Sequence, residues 1–178
     1  MIELSEKAPN TYLGHEETDY LYAVLGLFAS NTNYVVEEKR YQILEWAIMR
    51  LLSMLDVCPA DNVDRMSRIV MTIKTTTKNF NKPFHGKFVD LMKLTIERLV
   101  PLLGKYVNHL MLVKQVIFFV QSNVSTLGLE ILPVMEKLAE GCIAVFPYDK
   151  MEDILVLISF SAAQLKRQAL LLTSQSIR

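Results

Sequence analysis

Apolar residues recur along this chain at three- and four-residue intervals, and no run alternates with a period of two long enough to mark a strand. The spacing predicts a first helix over about 17–30, with Tyr20, Val24, Leu27 and Phe28 forming its apolar stripe. Asn31-Thr32-Asn33 ends it. A second helix, about 36–57, carries Ile43, Leu44, Ala47, Ile48, Leu51, Leu52 and Leu55 on one wide face. Glu37 and Glu38 lie in its first turn, where negative charge suits the helix dipole, and Cys58-Pro59-Ala60 stops it because proline cannot continue the hydrogen-bond ladder. Asp61 or Asn62 caps a third helix that buries Met66, Ile69, Val70 and Ile73. A fourth carries Phe88, Leu91, Met92, Thr95, Ile96, Leu99 and Leu103, with a kink or early end expected at Pro101. The fifth, about 106–124, is apolar almost all round (Leu110, Val113, Val116, Ile117, Val120), as a helix buried on several sides would be. Pro133 suits the first turn of a sixth, ending near Val145. After Pro147, Asp149 with Glu152 reads as a capping-box variant for a seventh over about 150–173.

Helix-start signals near Glu17, Asn62, Tyr106 and Asp149 repeat about every 44 residues, inside the ~40–47 range of HEAT-type units. The expected fold is therefore all-α, a HEAT-like α-solenoid of three helix pairs (about 17–58, 62–104 and 106–146) and one lone helix (149–173). The seventh helix presents Leu165, Leu170 and Leu172 with no helix after it, so the chain reads as a fragment of a longer protein in which those leucines meet a missing repeat or another copy.

Composition narrows the classes. An apolar fraction of 51% with only 6 glycines is high for a soluble domain, yet Met111–Val120 is interrupted by Lys114 and Gln115, and Ile154–Ala163 is short of the ~20 residues a spanning helix needs. The first twenty residues are polar and acidic, unlike a signal peptide. Cys58 and Cys142 stand among apolar neighbours without metal-ligand spacing and read as buried reduced thiols, as in a cytosolic or nuclear protein.

Catalytic patterns are missing from the sequence. His15, His85 and His109 fall on separate elements; there is no phosphate-cradling glycine loop, nucleophile elbow or HExxH. Met66, Met71 and Met92 follow helical spacing as core filler, and Trp46 reads as an inter-helix packing residue. The expectation is a non-enzyme without cofactor or metal. Net charge is zero, but its distribution is uneven: from Arg65 to Phe88 there are six cations (Arg65, Arg68, Lys74, Lys78, Lys82, Lys87) and no acid. Lys74 and Lys78, one turn apart, share a helix face. Thr75, Thr76, Thr77 and Asn79 interleave as neutral donors, a mixture suited to phosphate contacts, although cations at a helix C-terminus also simply stabilise it.

Four segments together resemble a known family. TDYLYAVLGLFASNTNYVVEEKRYQILEWAIMRLLSML is similar to the exportin-T pattern of an aromatic-rich helix, a short polar loop and a charged helix ending in leucines. RMSRIVMTIKTTTKNFN looks like that family's next repeat, GLEILPVMEKL its acidic-aliphatic-Leu-Pro break, and DKMEDILVLISFSAAQLK the helix that follows. The likeness is collinear over about residues 15–168 and corresponds to the C-terminal half of the family's superhelix. It implies a receptor that carries tRNA out of the nucleus with Ran-GTP, passes nucleoporins and shuttles between nucleus and cytoplasm. Recognition would run through RNA shape and backbone, with Lys74, Lys78, Lys82 and Lys87 near phosphates. Ran would be held by repeats outside this chain. Another importin-β-like receptor, or a protein-binding HEAT scaffold without RNA, is the alternative.

Overall fold

A computed structural model of the chain describes residues 15–30, 36–78, 85–133 and 135–136, together with positions 155, 156, 159, 162, 163 and 166. All its described elements are helical: α1 (His15–Ser30), α2 (Glu37–Asp56), α3 (Val63–Thr77), α4 (His85–Lys105), α5 (Leu110–Leu127) and a 3₁₀ turn, Gly128–Ile131. Leu132, Pro133, Met135 and Glu136 are helical where the sixth helix was expected. The bulk of the expected seventh helix, including Leu165, Leu170 and Leu172, lies outside the described residues, as does Cys142. The chain divides into two compact units, Met1–Asn81 and Lys82–Arg178.

In the first unit α1, α2 and α3 pack against one another. α2 turns Leu44, Ala47, Ile48, Leu51, Leu52 and Leu55 inward, the face its spacing predicts, and also buries Arg40. α1 corrects the expectation. Its bulky stripe points outward, with Tyr20 72%, Val24 43%, Leu27 54% and Phe28 50% exposed, while Tyr22, Gly26 and Ala29 are buried. The reason is close approach. A Cβ built on Gly26 would lie 2.2 Å from the carbonyl oxygen of Thr76, so α1 crosses α3 backbone to backbone, and the crossing face must be small. Met71 on α3 is 41% exposed instead of filling the core, unlike Met66 and Met92.

In the second unit α4 packs on α5, and α5 on the 3₁₀ turn. Phe88, Met92, Ile96, Leu99, Leu112, Val116, Phe119 and Ile131 are fully enclosed. α4 runs through Pro101 to Lys105. The fifth helix starts at Leu110, later than Tyr106: Tyr106 N–H still donates to Leu102 O (2.9 Å), and His109 N–H closes a turn on Tyr106 O (2.9 Å). Tyr106 is buried there, its ring edge-on to His109 at 5.9 Å with the Lys105 ammonium 5.2 Å from its centre. α5 is not buried all round; Leu110, Met111 and Phe118 are about half exposed, because among the described elements it is covered on one side, by α4 and the 3₁₀ turn. Gly128 ends it with φ of 59°, a left-handed value glycine adopts without strain. Lys93 of α4 reaches the Glu130 carboxylate of the 3₁₀ turn, and that hydrogen bond is the main reason its ammonium is held above the ordinary lysine range.

Candidate nucleic-acid interface

Of the lysines singled out by sequence, Lys74 and Lys78 lie at the end of α3 in the first unit and Lys87 at the start of α4 in the second. α3 is opened by Asn62, whose side-chain oxygen accepts from Arg65 N–H at 3.2 Å. At its other end Lys74 is half-buried in the last turn and Lys78 is the exposed C-cap residue. Both cations stand where the negative end of the helix dipole favours them, so helix stability alone accounts for their position. Lys82 and Asn79 lie outside the described residues. Lys87 is exposed in the first turn of α4, a turn without an acid. There the dipole is positive and disfavours a cation. Gly86 beside it meets nothing within 4 Å of a would-be Cβ, leaving the backbone of that turn open to approach.

The hydroxyls between the lysines are not surface donors. Thr75 donates to Met71 O (2.9 Å), Thr76 to Thr72 O (2.8 Å) and Thr77 to Ile73 O (3.1 Å), each one turn back along α3. Thr76 and Thr77 are buried as well. The threonine run is therefore part of the α1–α3 crossing, and its back-bonding satisfies hydroxyls that the crossing desolvates.

Nor do the cations of α3 make one patch. Arg65 begins the helix and Lys78 ends it, about 20 Å apart at 1.5 Å per residue. Arg65 instead shares its surroundings with Asp61 and the Cys58 thiol. Partial burial pushes that thiol above its ordinary range, the Arg65 guanidinium pulls it down, and the Asp61 carboxylate pushes it up. Cys58 is half-buried, more open than a core thiol.

A shallow cavity of about 470 Å³ opens between α1 and α2, lined by Leu25, Lys39, Gln42, Ile43 and Trp46. Trp46 is 45% exposed as its wall rather than wedged between helices. The spacing Lys39-Gln42-Ile43-Trp46 does mark one helix face, but a mixed face of this kind is ordinarily solvated. Among the described residues no three His, Cys, Asp or Glu side chains are grouped to hold a metal ion, and no helix is long and apolar enough to cross a membrane. Comparison with protein-family models, with curated proteins and with solved structures returns no match to this chain.

Proposed function

We propose that the chain is a segment of a HEAT-like α-solenoid belonging to a nuclear export receptor of the exportin-T type, and that Lys74, Lys78, Lys82 and Lys87 contact tRNA phosphates. The fold part rests on periodicity: helices start at residues 15, 63 and 110, and the alternate ones at 37 and 85, a period of about 48 residues, just beyond the ~40–47 of HEAT-type units. Mutual packing of α1, α2 and α3 is compatible with stacked pairs, in which each helix meets the next two. The function part rests on the family likeness and on one observation, Lys87 exposed at a helix start whose dipole disfavours it. A cation at that position, with an open glycine beside it, suits phosphate oxygens, which the helix N-terminus attracts and the lysine neutralises. The contacts come from lysines and backbone, without the threonine hydroxyls. Ran-GTP and nucleoporins would be engaged by other parts of the receptor, which works between nucleus and cytoplasm as a carrier, not an enzyme.

Fluorescence anisotropy of labelled tRNA across a salt series tests this. Each phosphate contact contributes about 0.7–0.9 to the slope of log affinity on log salt, so changing all four lysines to Gln should flatten that slope by up to about 3. An unchanged slope in a quadruple variant with native circular dichroism would overturn the site. The second reading, a protein-binding scaffold, is favoured by the apolar cavity walled by Trp46 and Ile43; it predicts no tRNA binding by the native chain.

A further inference from the structure

The cavity between α1 and α2 combines an apolar wall with a single cation. On α2 it is lined by Lys39, Gln42, Ile43 and Trp46, which fall within an arc of about 100° of that helix. Leu25 of α1 lines the other side. Leu25 and Ile43 are half-buried, and the Trp46 indole is partly open to water. Lys39 is exposed, and among the described residues its ammonium has no ion-pair partner. The four acids of α2 (Glu37, Glu38, Glu45 and Asp56) lie about 80° or more round the helix from Trp46, and none of them lines the cavity. Glu45 accepts a hydrogen bond from the Tyr41 hydroxyl at 3.3 Å.

We propose that this cavity binds a medium-chain carboxylate, its carboxylate on Lys39 and its alkyl chain lying over Ile43 and Leu25 towards Trp46. The length fits. Lys39 and Trp46 are about 10 Å apart along α2 at 1.5 Å per residue, the reach of an extended octanoate chain. The charge pattern selects an amphiphile over simpler ligands. A plain hydrocarbon gives Lys39 no counter-charge, and a small inorganic anion leaves Leu25, Ile43 and Trp46 wet. Gln42, one turn on from Lys39, offers an amide N–H as a second donor to the carboxylate. The methylene stem of Lys39 extends the apolar wall up to its charged tip. A volume of about 470 Å³ lies inside the ~300–1,000 Å³ of small-ligand sites, whose walls are mostly apolar with a few placed polar groups. None of Lys74, Lys78, Lys82 and Lys87 takes part, so this site and the phosphate contacts stand or fall separately.

Trp46 is the single tryptophan of the 178-residue chain, so its fluorescence reports on this cavity alone. Octanoate below its micellar range should shift that emission to shorter wavelength and saturate, because the bound chain displaces water from an indole that is 45% exposed. Octylammonium carries the same chain with the opposite charge. The formal net charge of the protein is zero, so a preference between the two amphiphiles reports the local site. Octanoate should bind at least about threefold more tightly than octylammonium, and Lys39→Glu should reverse that order. Ile43→Ser should weaken both. If Lys39→Glu loses helical circular dichroism, Lys39→Gln replaces it and should abolish the preference. An emission that octanoate leaves unmoved, or a preference for the anion that survives loss of the Lys39 charge, overturns the inference. So does an emission that shifts with protein concentration alone, which gives the cavity to a second copy of the chain.

Discussion

The two units bury their helices by opposite means. In the first, α1 meets α3 through Gly26 and the Thr76 backbone, and Tyr20, Val24, Leu27 and Phe28 are left outside while Tyr22 is buried. In the second, α4 and α5 interlock large side chains, among them Phe88, Phe119, Leu99 and Leu112. A small crossing face buries little apolar area, and its stabilisation depends on distance. A large one buries much and depends on volume. The first unit should thus be sensitive to added atoms and the second to removed ones.

The largest expected effect tests the second unit. Phe119 is fully enclosed, and Phe119→Ala should cost about 3–5 kcal/mol in urea unfolding, through lost transfer energy and the cavity left behind. A loss under about 1 kcal/mol would mean that α5 is not packed as described.

Next comes Gly26→Ala, where two effects oppose. Helix propensity favours alanine by about 1 kcal/mol, whereas the new Cβ would sit 2.2 Å from Thr76 O, against backbone that no rotamer change can move. Overpacking of this kind costs typically about 1–3 kcal/mol, so sterics should win and the melting temperature fall. A gain in stability would show that α1 and α3 stand further apart.

A smaller effect separates the helix starts. Asn62→Ala removes the hydrogen bond to Arg65 N–H and should cost about 1 kcal/mol. His109, the corresponding residue before α5, makes no side-chain cap bond, so His109→Ala should lose only its edge contact with Tyr106, about 0.5 kcal/mol. Equal losses at the two positions would remove this distinction between the units.

Much of this was legible in the sequence, for reasons particular residues make plain. Pro59 ends α2 and Asn62 opens α3 as expected, because those signals act on their own backbone. The inward faces of α2 and α4 follow from a single apolar stripe on an otherwise polar helix. On α1 the stripe misleads, since hydrophobicity measures the benefit of burial and not how near a neighbour lies; Gly26 and Ala29 were the better signal. Thr75, Thr76 and Thr77 look like phosphate donors in one dimension, but their hydroxyls bond the preceding turn. Residue spacing along one helix already separates Arg65 from Lys78, but that Asp61 and Cys58 share the surroundings of Arg65 needed the structure.

The smallest expected effect lies at that mixed-charge end of the first unit, where the Cys58 thiol reports on Arg65 and Asp61. With Cys142 replaced by serine, reaction of Cys58 with a thiol reagent should be slower than that of a free cysteine at the same pH, because burial raises the thiol and less thiolate is present. Arg65→Gln removes the cation that pulls the thiol down and should slow the reaction further; Asp61→Asn removes an opposing anion and should speed it. The sign for stability follows from the same shift. The folded chain holds this proton more tightly than the unfolded chain, so the contribution is complete below the unfolded thiol's range and is lost as pH rises through the folded one. Thiolate formation followed by ultraviolet absorbance across pH checks the order. If Arg65→Gln speeds the reaction, the guanidinium does not stand near the sulfur, and this end of α3 is not the mixed-charge site that separates Arg65 from the lysines at the other end.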